Sequence, residues 1–568
     1  VSDAPLISIV TGTFQRLASL MRFVESVRSA FPQSIPHEII LVDGGSTDGT
    51  LQWSKAQPHI RLIEHGELRG AIRAFCDGAA AARGKYVVLA NDDIAFVPGS
   101  ILRALVHLET TPRCGGVAFE DNRPIPSQRP EERHLFKVQF EPALAPDGTP
   151  TNVVYAQVGM FRKWLGDALG WWGADDPVMS EARTYGGDNW LSSRVWESGY
   201  TIDTVRGAQV RDFVVDDGLR LKNVNNHDRA YAKAYPRGPR IGSRPIPLRA
   251  TDERMRVLYL PIYEPDYPIH KETKRGLREA LAKRCIVLEW DYLSSAILAD
   301  EVAAFRPHLI LTQFHDSRWS KLIEQLRFLC PQALIVNWNG DARGLTEAPY
   351  LEMLRLVDLQ LVVNAAALDV YKQAGIPAAY WQIGLEEPDR PLPDVPRHDV
   401  VFLANCYNEA RRELEAALMR SGLNVGLYGF GWQRAAGHCQ YDFATGAALY
   451  KNARIALSDS FIDHQTPTRA FVSNRFIQAL GAGAFLLQQH CADLEMYTGF
   501  RAGTHYVEWK GLRDLMDMLH LFLSRDDERR QIAQAGQRFV YERYTFDALV
   551  RQLFAEILPR LEARREPA

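Results

Sequence analysis

The sequence predicts an α/β protein built from doubly wound parallel sheets, and three observations carry that prediction. Short apolar runs recur along the chain, helical stretches alternate with them, and several runs end in Gly, Asp, Asn or Thr. Strands of a parallel sheet covered by helices on both faces are apolar throughout, and ligands bind beyond their carboxyl ends, where those polar residues sit. At about 150 residues per domain, a chain of 568 residues corresponds to roughly three or four folding units, each able to bury its own core.

Taken in order, "LISIVTG", "EIILVDGG", "IRLIEHG" and "KYVVLANDD" read as strands, with "LASLMRFVESVRSAF" a helix between the first two, so that residues 5 to 110 form a first α/β half. The stretch "YPRGPRIGSRPIPLRATDE" (Tyr235–Glu253) is too rich in Pro and Gly to continue a helix or a central strand and reads as a linker. Beyond it, "MRVLYLPIYE", "RCIVLEWDY", "HLILTQFHD", "ALIVNWNGD" and "LQLVVNAAAL" form a second strand series. A further break, "EEPDRPLPDVPRHD" (Glu386–Asp399), precedes a third: "VVFLANCY", "NVGLYGFGW", "ARIALSDS" and "GAFLLQQ". There is no short-period repeat or low-complexity tract.

Composition narrows the function classes. A hydrophobic content of 46% excludes a disordered, collagen-like or small stapled chain. A net charge of -3, with Lys+Arg 66 against Asp+Glu 69, provides no field for wrapping nucleic acid, so any phosphate chemistry is local. Cysteines 76, 114, 285, 330, 406, 439 and 491 are odd in number and lack a C-x-x-C pair, which argues against a disulfide framework or a thiolate zinc site and fits a reducing cytoplasm. No run reaches the roughly 18 apolar residues of a membrane span, and "VSDAPLISIV" lacks the basic-then-apolar layout of a signal peptide, although Val1 need not be the natural start. The expectation is a cytoplasmic protein that meets any membrane-borne acceptor peripherally, at the inner face.

Three polar elements of the first half carry chemistry. In "VDGGSTDGT", Asp43 ends a strand and can accept hydrogen bonds from a base or ribose; equally, Ser46, Thr47 and Asp48 make a well-capped turn. In "LANDDI", Asn91, Asp92 and Asp93 follow an apolar strand, and adjacent carboxylates repel unless a divalent cation, Mn or Mg by the hardness of the oxygen donors, bridges them to a diphosphate. In "YGGDNWLSSRVWESGY", Asp188 opens a helix, as a cap or as a base that takes a proton from an acceptor hydroxyl.

Together with "SIVTGTFQR", these elements resemble, in order and spacing, the family 2 glycosyltransferases of the GT-A fold over residues 6 to 230. The resemblance implies a Rossmann-like nucleotide-diphospho-sugar transferase domain in which Thr11, Thr13, Asp43, Asn91 and Asp92 bind the donor, Asp93 holds the metal and Asp188 is the general base of an inverting transfer. The sequence departs from the family pattern at Gly187, where Glu is usual, at Trp190, where Asp is frequent, and at Phe75-Cys76 in place of Arg-Asn; Arg69 or Arg73 then neutralises the diphosphate. A late metal-binding His is represented by His227, with Asp212 competing. Trp171 and Trp172 fall where the family lines its acceptor site, although core packing is their default role.

In the last third, "TRAFVSNRFIQALGAGAFLLQQ" brings Arg469 and Arg475 close to a helix N-terminus, an arrangement that suits a diphosphate and is equally read as an amphipathic helix with solvated arginines. Residues 398 to 548 resemble group-1-type GT-B glycosyltransferases, with Gln478 where the family has a ribose-binding Glu. Strand ends of the preceding lobe offer His315, Asp316 and Asp341 as bases or as plain loop residues, and "YGFGW" reads as a Gly-rich turn that lets backbone approach a nucleotide.

These resemblances imply a GT-A domain over residues 1–240, a linker over 241–254 and GT-B-like lobes over 255–390 and 391–568, the last binding nucleotide-sugar. The implied protein is a bifunctional hexosyl- or deoxyhexosyltransferase extending a bacterial surface polysaccharide. It uses UDP-, dTDP- or GDP-linked donors and a saccharide or lipid-linked glycan acceptor, with Mn or Mg in the first half and no cofactor in the second. The alternative is one active GT-A enzyme with a non-catalytic C-terminal half that binds glycan or partners.

Overall fold

The computed structural model describes residues 5–30, 35–122, 136–213, 218, 226–249, 254–262, 269–290, 292, 299–341, 346–385, 391–437, 442–460 and 468–559. The chain divides into two units, Val1–Arg254 with Leu298–Arg306 and Met255–Ile297 with Pro307–Ala568. Among the described residues no helix is long and apolar enough to cross a membrane.

The first unit alternates strand and helix: β1 (Ile7–Thr13), α1 (Leu17–Ala30), β2 (His37–Asp43), α2 (Thr50–Lys55), β3 (Ile60–Glu64), α3 (Ala71–Ala81), β4 (Tyr86–Leu89), β5 (Ile94–Phe96), α4 (Ser100–Thr110) and β6 (Cys114–Asp121). The hairpin β7 (Gln139–Leu144) and β8 (Pro150–Tyr155) follows, then β9 (Gly159–Arg162), α5 (Lys163–Leu169), α6 (Gly187–Glu197) and β10 (Thr201–Asp212). The eight-stranded sheet runs β3-β2-β1-β4-β9-β6-β10-β5. β1, β2, β3 and β4 are parallel, and β9 opposes both β4 and β6, so β6 and its parallel partner β10 run with the first four.

Sequence explains the layering. In α1, Leu20, Phe23, Val24 and Val27 recur at helical spacing and are fully buried or nearly so, each contributing about 1.5–3 kcal/mol on removal from water. α3 lies close on β1 because Gly78 has no side chain: a Cβ there would meet Val10 Cγ1 at 2.3 Å. Register does the positioning. Thr13 pairs with Asp43 at the ends of β1 and β2, and Val10 pairs with Leu89, which carries Thr13 to the turn that follows β4.

The second unit holds two parallel sheets. Strands β11 (Arg256–Leu260), β12 (Ile286–Glu289), β13 (Leu309–Thr312), β14 (Leu334–Asn339), β15 (Leu359–Val362) and β16 (Ala378–Tyr380) are ordered β12-β11-β13-β14-β15-β16. Strands β17 (Val400–Leu403), β18 (Val425–Tyr428), β19 (Ile455–Ser458), β20 (Leu486–Gln489) and β21 (Val507–Trp509) are ordered β18-β17-β19-β20-β21. One buried cluster runs through both, from Val257 and Leu309 to Val401 and Leu486. The chain end returns to the first of these sheets: Trp381 Nε1 donates to Leu549 O at 3.2 Å, and Arg284 pairs with Asp547 at 2.6 Å.

Candidate active-site clefts

The ends of β1, β2 and β4 open onto a cleft of about 150 Å³, lined among others by Thr13, Arg16, Gly44, Arg69, Asn91 and Asp92. Asp43 is 1% exposed, and its Oδ2 accepts from Gly45 N and Ser46 N, both at 2.9 Å. This is the turn-capping role; the carboxylate's other oxygen is buried and has no hydrogen-bond partner. A buried acceptor left unmet costs about 1–3 kcal/mol; Asp43 itself does not line the cleft, while its chain neighbours Val42 and Gly44 do.

Asp92 and Asp93 share one guanidinium: Arg16 Nη1 lies 3.1 Å from Asp92 Oδ1 and 3.4 Å from Asp93 Oδ2. Thr13 Oγ1 donates to Asp92 Oδ2 at 2.7 Å and fixes that carboxylate's orientation. Burial pushes the Asp92 carboxyl up to about 6, against the pull of Arg16 and the Thr13 hydrogen bond. Two nearly buried carboxylates converging on one cation fit a divalent ion by donor hardness, and Arg16 is the positive charge that faces both of them here. Arg16 closes the segment SIVTGTFQR, and the fold turns its side chain back to carboxylates more than seventy residues away.

The other expected site residues separate. Thr11 is fully buried and is not among the cleft-lining residues. Arg69 borders the cleft, whereas Arg73 is bound to Asp77 at 2.6 Å and Asp175 at 2.7 Å. His227 pairs with Glu181 at 3.0 Å beside an adjoining depression that Arg69 and Arg73 also line. Asp93 and His227 belong to no cluster of three potential metal ligands among the described residues. Asp212 is the late acidic residue that the sheet brings to the acidic turn, since it pairs with Ile94 and the next amide, Phe213 N, donates to Asp93 O at 3.0 Å.

Asp188 stands in the first turn of α6, half-buried, its Oδ1 accepting from Asn189 N at 2.9 Å. The segment just before it reaches the cleft at Thr184. Burial, with a small contribution from the Asp188 charge, raises the Tyr231 hydroxyl above its ordinary value, and that OH lies 2.7 Å from Tyr155 OH. Trp171 and Trp172 are 5% and 7% exposed and belong to the core. Trp171 Nε1 donates to Asp167, and Trp172 packs on Phe75 at 4.0 Å and under Gly187, where a Cβ would be 2.5 Å from its ring. Trp172 thus backs the start of the helix that carries Asp188, Trp171 packs on α5 at Gly166, and both rings are taken up by the core.

In the second unit a cleft of about 220 Å³ lies at the end of β17 and the start of the helix Asn474–Gly481, lined by Asp442, Tyr450, Ser473, Arg475 and Gln478 among others. Arg475 is bound from behind: Nη1 donates to Asp459 Oδ1 at 2.7 Å and Nε to Leu403 O at 3.2 Å. Asp459 also takes two hydrogen bonds from Arg411, at 2.8 and 2.7 Å, in a pair 2% and 1% exposed. Arg469 lies elsewhere, holding Asp369 at 2.8 Å and Asp493 at 2.7 Å, and does not line this cleft. The "YGFGW" glycines serve backbone packing, since a Cβ on Gly429 or Gly431 would lie 2.2 Å from Ala404 O or 2.3 Å from Cys406 O. Asp316 caps a short 3₁₀ turn through Arg318 N, and Asp341 N donates to Asn339 Oδ1 at 2.9 Å.

Comparison with known proteins follows the same division. Residues 8–176 match the family model of glycosyl transferase family 2, which takes in Asp43 and Asn91 to Asp93 and ends before Asp188. Residues 409–555 match the glycosyl transferase-like family, which takes in Asp459, Arg475 and Gln478. An uncharacterized glycosyltransferase of Bacillus subtilis (strain 168), YwdF, is 28% identical over 177 residues, 30% of this chain and 62% of that relative's length. A mannosyltransferase from Pyrobaculum calidifontis, PcManGT, solved in complex with GDP-Man and Mn2+, is 19% identical with a TM-score of 0.29, over 38% of this chain and 59% of its own. The chain thus carries a glycosyl transferase family 2 segment at residues 8–176 and a glycosyl transferase-like segment at residues 409–555.

Proposed function

We propose that the first unit transfers a sugar from a nucleoside-diphosphate donor to a hydroxyl of a glycan acceptor, with inversion, and that residues 1–240 hold this activity. The observation that supports the reading is that Asp92 lines the cleft with Asp93 beside it on the same guanidinium of Arg16, and that Asp43, whose Oδ1 is unmet, ends β2 opposite Thr13 of β1, which lines the same cleft. In this reading Asp43 accepts from the base, Asn91 and Asp92 face the ribose and Arg69 meets the diphosphate. Asp92 and Asp93 would hold Mn or Mg, which when bound offsets charge on the departing diphosphate. Asp188 takes the acceptor's proton as its oxygen attacks the anomeric carbon, and the burial of Trp172 beneath Gly187 keeps the helix start in place.

For the whole chain the reading is a bifunctional enzyme acting on a bacterial surface polysaccharide, the second cleft binding another nucleotide-sugar through Arg475 and Gln478. A specific observation favours the alternative, a C-terminal half that binds without catalysis: Arg475 is already committed to Asp459, and Gln478 offers an amide where a carboxylate holds ribose in relatives.

A thermal-shift screen of UDP-, dTDP- and GDP-sugars with and without Mn, followed by transfer assays of Asp188→Ala and Arg475→Ala, tests both readings. The bifunctional reading expects each substitution to remove a different linkage. Loss of all transfer in Asp188→Ala with none in Arg475→Ala supports the alternative, and transfer unaffected by Asp188→Ala overturns the first assignment.

A further inference from the structure

At the edge of the first sheet opposite the cleft, side chains from separate elements meet. His107 is in the last turn of α4, Cys114 begins β6 and Asp203 lies near the start of β10. β6 and β10 run parallel to β4, so their starting ends lie across the sheet from Asp92 by the length of a strand, at about 3.3 Å per residue. His107 Nε2 is 2.7 Å from Asp203 Oδ2, and one ligand atom each of His107, Cys114 and Asp203 lie within 4.8 Å of one another.

We propose that His107, Cys114 and Asp203 bind a zinc-type divalent cation at a site separate from the sugar-transfer cleft and independent of its assignment. Imidazole nitrogen, thiolate sulfur and carboxylate oxygen are a borderline donor set suited to zinc, and a thiolate with a carboxylate neutralises a dication in a partly buried place. Cys114 is fully buried while His107 and Asp203 are 29% and 28% exposed, so the cation enters from the solvent side and keeps a water as fourth ligand.

On binding, the His107–Asp203 hydrogen bond opens from 2.7 Å to about 3.3 Å, the edge of a tetrahedron with arms near 2.0 Å. The Zn–S bond forms as the Cys114 S–H bond gives its proton to solvent. The Nε2 proton that made the hydrogen bond to Asp203 leaves to solvent as a proton is taken up at Nδ1, so that the neutral imidazole donates its Nε2 lone pair to the cation. No electron transfer is involved. The occupied site fastens the end of α4 to the starts of β6 and β10. No C-x-x-C spacing announces it, because the ligands are distant in sequence.

The test uses the full-length chain stripped with chelator, titrated with Co2+ for its thiolate charge-transfer band in the near-ultraviolet and with Zn2+ against a chromophoric indicator. The expected result is a saturable band at one equivalent, retained in Asp93→Asn and lost in Cys114→Ser, with Zn2+ affinity at least about tenfold weaker in Cys114→Ser and in His107→Ala. Should Cys114→Ser fail to fold, His107→Ala, changed at a partly exposed position with the thiol intact, decides. Absence of the band in the parent protein, a band unchanged in Cys114→Ser, or unchanged Zn2+ affinity in His107→Ala overturns the proposal and leaves His107–Asp203 as an ordinary ion pair.

Discussion

Arg16 and Asp92 are joined by a 3.1 Å contact between Nη1 and Oδ1, and the same nitrogen reaches Asp93 Oδ2 at 3.4 Å. A fixed internal cation therefore stands where adjacent, nearly buried carboxylates would otherwise repel. Replacing it by neutral glutamine leaves the pair uncompensated, a change of about 3–5 kcal/mol for buried partners. Arg16→Gln is expected to melt lower without added cation and to gain more from Mn than the parent does, as read by thermal denaturation with and without MnCl2. An equal response to Mn in both proteins would show that Arg16 does not substitute for a cation.

The Asp92 carboxyl, raised to about 6 in the folded protein from an unfolded value near 3.8, sets a pH dependence. Between those values the folded state binds the proton more tightly than the unfolded state, so stability falls as pH rises from about 4 to 6 and the full cost remains above it. Asp92→Asn removes this slope and is expected to be more stable at pH 7 by on the order of 1–3 kcal/mol, measured as the shift in urea midpoint across that pH range. Affinity for Mn runs the other way, rising with pH up to about 6 and levelling above, because the ion binds the carboxylate.

Asp43→Asn keeps an oxygen for the turn amides of Gly45 and Ser46 and turns the unmet carboxylate oxygen into an amide donor. Nucleoside diphosphate affinity is expected to fall roughly 10- to 100-fold, the worth of about 1.5–3 kcal/mol for a charged hydrogen bond, with the melting temperature little changed. Calorimetric titration gives the first quantity and a thermal scan the second.

Among the described residues Asp459 is the one carboxylate that pairs with both Arg411 and Arg475, with Arg411 and Asp459 almost wholly buried. Asp459→Ala strands two guanidinium groups and is expected to cost about 3–5 kcal/mol, whereas Arg469→Ala breaks solvent-screened pairs and is expected to cost far less. Urea denaturation of the two variants should therefore diverge clearly.

Gly78→Val places a side chain against Val10, whose Cγ1 is already 2.3 Å from an ideal Cβ, and overpacking of this kind costs about 1–3 kcal/mol. A lowered melting temperature is expected, and an unchanged one would mean that α3 can lift from β1 at no cost.

What the sequence revealed follows what local chemistry encodes. β1, β2 and β4 were legible because unbroken apolar runs end in polar residues, and the same rule placed Asp43 and Asn91 to Asp93 at one sheet edge. Asp188 was legible as the opening of a helix. Arg16 and the His107–Cys114–Asp203 group were not, because their partners are distant in sequence and only sheet order brings them together. The paired tryptophans misled for a related reason: an aromatic residue reads the same whether its ring faces a sugar or, as with Trp172, fills the space left by Gly187. Arg469 and Arg475 are close in sequence yet serve different places, since the turn between them sends one to Asp369 and the other to Asp459.

Calorimetric titration of the full chain with a nucleoside diphosphate in the presence of Mn, comparing the parent with Asp43→Asn and Asp93→Asn, tests the central claim most directly. The account predicts a cation-dependent site in the parent that weakens at least about tenfold in each variant while both remain folded. Binding that is independent of Mn and equal in all three proteins would contradict it.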